Sequence, residues 1–340
     1  MCPAPSDGGS AFVLENGQGM RFACIGHGAT ITELRVPDRL GQRRNVLLSL
    51  PDLAAYQRTR RRFAAMMGRY AGRIAGASFM LDGARVQLPA NADGLHLHGD
   101  PDGFDKRVWQ GRYAERPDAR GVLLRLVSPD GDGGFPGELE VEVGYWLLHA
   151  ENTLHLEITA RTTRPTVLNL TNHAFFNLAG AGTRGLDTHV LQIEAAQVAV
   201  TDARNCPTGA LAMVDGSPLD FRRPARLGWR IAAIGEPGFD HSYVFNKPDG
   251  VLAPVALVHE RVSGRCLQIL TTEPAAQFFS GNGFDGSEIG SEGLAYQRHD
   301  GFAFETQHLP DSPNHAHFPS TVLRPGQTYT SLTVWRFCTL

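Results

Sequence analysis

Apolar and polar residues alternate with a period of two along much of this chain, which marks strands with one face buried. The clearest run is 138–147, where Leu139, Val141, Val143 and Tyr145 form one face and glutamates the other. Leu154, Leu156 and Ile158 continue it after a turn at 150–152. Similar runs predict strands at 29–36, 78–88, 121–127, 189–194, 255–260, 266–271 and 328–337. The run 78–88 is split by Asp82-Gly83, a pair that tolerates the left-handed backbone of a tight hairpin. Helical spacing is scarce, and only 51–58, with Asp52 near its start, reads as a short helix.

Many short strands joined at 38 glycines and 21 prolines predict an all-β fold, a sandwich or a barrel with long functional loops. No linker or fixed repeat divides the chain, so residues 1–340 read as a single domain. The stretches 94–106, 202–233 and 280–299 are polar yet keep aromatics, as ordered excursions from a scaffold do.

Charge and cysteine usage narrow the classes. A net charge of -3 gives no footprint for nucleic acid, and the only run of like charge is Arg60-Arg61-Arg62. Five cysteines at 2, 24, 206, 266 and 338, widely spaced and without a CxxC pair, point away from a disulfide framework and from a zinc ribbon. The first ten residues lack a basic start followed by an apolar stretch, and no long uncharged apolar run follows. These features predict a soluble, cytoplasmic protein with no membrane contact.

Against that background, four polar constellations stand out. In 301–307, Glu305 interrupts an apolar strand, with Gly301 and Ala303 on its own face leaving space above it. A carboxylate there is costly unless paired, so it is either a structural ion pair or a base. In 166–178, Leu168, Leu170, Ala174 and Phe176 take one face, while Asn169, Thr171, His173 and Phe175 take the other as a groove wall or a solvated face. His96 and His98 share a face if extended, which suits a metal site, one proton donor beside a structural histidine, or a surface pair. Arg69 and Arg73, in a glycine-containing run that is not a phosphate loop, and Asp240, after Pro237-Gly238, can hold hydroxyls, pair with opposite charges or shape turns.

Taken in order, these motifs resemble the galactose mutarotases, or aldose 1-epimerases, over nearly the whole chain. The resemblance rests on Gly68-Arg-Tyr-Ala-Gly-Arg-Ile-Ala75, Leu97-His-Gly99 with 103–106, Asn169-Leu-Thr-Asn-His173 with 176–180, Gly238-Phe-Asp-His241, Gln277 with Gly281-Asn282, and Glu305-Thr-Gln-His308 with 310–314. It implies a large antiparallel sandwich, often called a supersandwich, with an open sugar cleft and neither cofactor nor metal. It assigns Glu305 as general base, His173 as general acid and His98 as a second histidine near the ring oxygen. Arg73, Asp240 and Gln277 would hold the sugar, and we add Asn172 and Phe175 as candidate contacts.

Two departures bear on the sugar. Gly72 stands where the family usually has Asn, and Ala174-Phe175 replaces Ser-Tyr, each losing a polar group that could discriminate epimers. The expected partner is a free aldose, handled by a monomer or weak homodimer. The alternatives are a noncatalytic sugar-binding protein, a hexose 6-phosphate epimerase, and a metal enzyme using His96, His98 and Glu305.

Overall fold

In the computed structural model, residues 8–91 and 93–340 are described, so Cys2 and most of the N-terminal stretch lie outside the described residues. The alternating runs form the strands that their spacing predicts. Strands Ala119–Ser128, Leu139–Leu148 and Thr153–Thr162 are consecutive neighbours in a nine-stranded sheet, followed by Tyr329–Thr339, Arg265–Thr271 and Ala253–Glu260. A six-stranded sheet runs in the order Phe175–Phe176, Phe302–Gln307, Ala275–Phe279, Asp240–Phe245, Ala195–Thr201, Pro207–Met213. Neighbouring strands in both sheets are antiparallel. A four-stranded sheet begins the described chain.

The two large sheets share one apolar core, which makes the molecule an all-β sandwich. Val141, Val143, Tyr145, Leu156 and Ile158 from the first sheet belong to the same buried cluster as Tyr243, Phe278, Phe302 and Phe304 from the second. Phe176 meets Trp335 edge-to-face at 5.0 Å between ring centroids. Each fully buried side chain of this size stabilises by roughly 1.5–3 kcal/mol, so the layers are held by ordinary hydrophobic burial. Asp82 and Gly83 take φ of +50° and +83°, closing the hairpin between Ser78–Leu81 and Ala84–Gln87. Asp52 caps the helix Leu53–Arg58 by accepting from the Ala55 amide at 2.8 Å.

Two local expectations change. The run 166–178 is not one strand: residues 166–167, 171–172 and 175–176 pair with three different partners, at Val322–Leu323, Met66–Met67 and 302–303. Both of its faces are buried, so Asn169 and Thr171 do not form a solvated outer surface. A second helix, Leu227–Ile234, closes the excursion at 202–233. Its N-cap Arg226 makes no side-chain capping bond and its first turn has no acid, so the usual start signals are missing. Among the described residues, no helix is long and apolar enough to cross a membrane.

Candidate active site

Strand register assembles the site. Gln277 lies directly opposite Glu305, Ser242 opposite Gln277, Phe279 opposite Ala303, and Ala303 opposite Phe175. Asp240 lies two residues before Ser242, so one face of the six-stranded sheet presents Phe175, Glu305, Gln277 and Asp240 together. The reverse face carries Phe176, Phe304, Phe278 and Tyr243 into the core. That two-faced pattern explains how a carboxylate can sit within an apolar strand. The small residues do not provide the room, however. A side chain at Gly301 would meet Leu48 at 2.7 Å, and Ala303 packs in a cluster with Phe175 and Phe284. The space lies beyond Glu305, as a cleft of about 180 Å³ bordered by Arg73, His98, His173, Asp240 and Gln277.

His173 projects from the irregular segment between two short strands. Its amide donates to the Ala65 carbonyl and its carbonyl accepts from the Ala64 amide, both at 2.9 Å, so the backbone is fixed on both sides. Nε2 then stands 3.4 Å from Glu305 Oε1. Glu305 is 2 % exposed, and its second oxygen, like His173 Nδ1, has no protein partner. Burial pushes the Glu305 carboxyl up to about 8, and Asp240 adds to the rise while Arg73 and Arg62 oppose it. Burial, reinforced by Arg62, lowers His173 to about 3. The pair therefore holds one proton across the neutral range, residing on the glutamate.

His98 takes φ of +54°, so it is not extended and does not share a face with His96. Its amide donates to the Gly72 carbonyl at 3.0 Å, and the Gly72 amide donates to Nδ1 at 3.1 Å. Burial and Arg62 hold its pKa well below the usual histidine value. A neutral ring whose Nδ1 accepts a hydrogen bond carries its hydrogen on Nε2, so His98 offers the cleft a donor. This bears on metal binding. Donor atoms of His98, His173 and Glu305 lie within 4.8 Å of one another. Yet the Gly72 amide occupies one His98 nitrogen and a hydrogen the other, whereas a metal-bound histidine uses a lone pair and donates its other N–H outward. His96 turns away, with Nδ1 3.0 Å from the Pro89 carbonyl and its ring against Phe135. The His96, His98, Glu305 set is therefore not assembled.

The far end of the cleft is built around Asp240. Its carboxylate accepts from Gln277 Nε2 at 2.5 Å, from Asn205 at 3.1 Å and from Arg73 at 3.3 Å. Ser242 in turn donates to Gln277 Oε1. Such a web holds the carboxylate and guanidinium at fixed positions, where they can exchange hydrogen bonds with hydroxyl groups. The 310–314 run supports it from behind: Asp311 donates its amide to the Arg73 carbonyl at 2.7 Å and accepts from the Ala75 amide at 2.9 Å.

Other candidates prove architectural. Asn172 faces the core, donating to the Ala64 carbonyl at 2.8 Å and to Tyr145 at 3.2 Å, because its position has the parity of Leu170 and Ala174. Asn169 donates to the Ala71 carbonyl and accepts from the His308 amide, both at 3.0 Å, joining two site segments. Arg69 is 3 % exposed and donates to the carbonyls of Ser128, Pro129 and Gly137. Sequence reasoning missed Arg62, Asn205, Phe279 and Phe284. Arg62 lines the cleft at φ +55°, ion-paired to Asp100 and 4.0 Å from Asp105. Its signal in the sequence is the run Arg60-Arg61-Arg62.

Comparison with known proteins points to one family. Residues 10–336 match the aldose 1-epimerase family. The chain is 40 % identical over 326 residues to the galactose mutarotase of Bos taurus, covering 96 % of this chain and 93 % of that one. It is 37 % identical over 334 residues to the aldose 1-epimerase of Escherichia coli K12, covering 95 % and 94 %. Among solved structures, an aldose epimerase homologue from C. elegans superposes with a TM-score of 0.89 at 27 % identity, covering 98 % of this chain and 99 % of that one. Galactose 1-epimerase from Lactobacillus acidophilus NCFM gives 0.84 at 28 % identity, covering 96 % and 93 %. With the family match spanning nearly its whole length, the chain belongs to the aldose 1-epimerases.

Proposed function

We propose that this protein is a mutarotase that interconverts the α and β anomers of a free aldose such as galactose or glucose by opening and reclosing the ring. The observation that carries this reading is the buried, incompletely bonded Glu305 beside His173, at the wall of a cleft whose other end is the Asp240 web. Ring opening needs a proton removed from the C1 hydroxyl and one delivered to the ring oxygen. In this proposal Glu305, as carboxylate, takes the anomeric proton, and His173, as imidazolium, gives one to the ring oxygen. That charged pair is reached by moving the one shared proton from carboxyl to imidazole. His98 donates a hydrogen bond near the ring oxygen, while Asp240, Arg73 and Gln277 hold hydroxyls and Phe175 covers an apolar face of the sugar. Rotation about C1–C2 presents the other carbonyl face, and closure reverses the two proton transfers.

Polarimetry of freshly dissolved α-D-galactose and α-D-glucose tests the reading. Accelerated relaxation that disappears in Glu305→Gln supports it, and sugar binding without acceleration favours a noncatalytic sugar-binding protein. Arg60, which lines the cleft and has no ion-pair partner among the described residues, favours a second reading with a hexose 6-phosphate as substrate. The same assay with galactose 6-phosphate decides between them. The reading also takes the chain as one catalytic domain, a cytoplasmic monomer or weak homodimer, which fractionation and sedimentation velocity check.

A further inference from the structure

Spacing along the chain hides one relation between cysteines. Cys266 and Cys338 are distant in sequence but lie directly opposite each other on the antiparallel strands Arg265–Thr271 and Tyr329–Thr339. Opposed residues on such strands have Cα atoms about 4.5–5.5 Å apart and point to the same face, inside the roughly 4.4–6.8 Å that a disulfide spans. Both are free thiols, and the neighbouring Cys338 adds to the rise in the Cys266 pKa. Burial is unequal: Cys266 is 1 % exposed, whereas Cys338 is open to solvent. Neither residue lines the cleft, so neither belongs to the proton-transfer chemistry.

We propose that Cys266 and Cys338 are a two-electron oxidation site, which a small-molecule disulfide converts into a cross-strand disulfide stapling the C-terminal strand to its neighbour. The exposed Cys338 sulfur first attacks the reagent disulfide, forming a mixed disulfide and releasing one thiol. Cys266 then attacks the Cys338 sulfur, a new S–S bond forms, and the second reagent thiol leaves with the Cys266 proton. Two protein thiols are oxidised and one reagent disulfide is reduced to two thiols. Burial, with Cys338 beside it, raises the Cys266 pKa to about 12, so the exposed Cys338 is the thiol that meets the reagent first. Cys24 and Cys206 are buried on other strands and loops without an opposed cysteine, so they do not compete.

The test treats the folded full-length chain with oxidised glutathione, digests it without reduction and weighs the peptides. A linked peptide pair containing Cys266 and Cys338, two hydrogens lighter than the separate thiol peptides, is expected. Because the bond closes a long loop in the unfolded chain, Tm should rise by about 5 °C and fall back on reduction. Mutarotase activity should be unchanged, which separates this result from the fate of the functional reading. Cys338→Ser should lose both the link and the Tm shift, and Cys266→Ser should leave only the mixed disulfide at Cys338. Persistent glutathionylation of Cys338 in the unsubstituted protein, or a Cys338–Cys338 bridge between chains, would overturn the proposal.

Discussion

Glu305 and Glu273 are buried glutamates that each stand within 4 Å of a histidine nitrogen, and they are built differently. Glu305 and Glu273 are 2 % and 3 % exposed. Glu273 is fully satisfied, accepting from Tyr329 at 3.0 Å and bonding His308 Nδ1 at 2.9 Å, beside a cavity of about 780 Å³. Glu305 leaves one oxygen without a partner and the other 3.4 Å from His173, in the much smaller cleft of about 180 Å³. A buried carboxylate with both oxygens bonded is part of the frame, whereas one held short of its partners retains the capacity to take a proton. Cavity size alone would point to Glu273 and His308 instead.

Substitutions at the two glutamates should separate these roles sharply. In Glu305→Gln, kcat should fall by about 10³-fold or more, since the amide cannot exchange the proton. His173→Ala should lose roughly 10²- to 10⁴-fold by the same logic, and both losses are read by polarimetry. Next in size, Asp240→Asn weakens three hydrogen bonds that converge on one carboxylate. It should reduce kcat/KM by about 10- to 100-fold, and a rise in KM would be the sign that Asp240 holds substrate.

The strand framework was legible because burial alternates faithfully where both sheet faces are regular, as at Leu139, Val141 and Val143. Glu305 stood out for the same reason, being the single charge in an apolar strand. The wall at 166–178 was harder to read. Its three short pairings rotate the chain between them, so parity places His173 and Asn172 on the right sides but hides the structural role of Asn169. His98 eluded the pattern because φ of +54° breaks the extended spacing on which the His96–His98 pairing depended. Arg62 and Asn205 come from loops, where no period places a side chain. Only the assembled fold brings Arg62 to the cleft and Asn205 to Asp240.

The shared proton makes a finer distinction between the two glutamates. The Glu305–His173 pair carries one proton from roughly pH 3 up to the Glu305 value of about 8, so kcat/KM should be flat through neutrality and fall above about pH 8. Stability gives the smallest signal. The folded pKa of Glu305 lies above its ordinary value, so this group costs stability as pH rises from about 4.5 toward 8, where only the unfolded chain has released the proton. Glu305→Gln removes that cost. Its Tm should match the unsubstituted protein near pH 4.5 and exceed it by a few degrees near pH 8, as read by calorimetry.

The most direct test runs both glutamate variants in one polarimetric assay of α-D-galactose, with circular dichroism confirming that each is folded. Glu273→Gln should relax within about twofold of the unsubstituted rate, while Glu305→Gln should follow the spontaneous rate. A folded Glu305→Gln that keeps its activity, or a folded Glu273→Gln that loses it, would contradict the assignment of Glu305 as the working carboxylate.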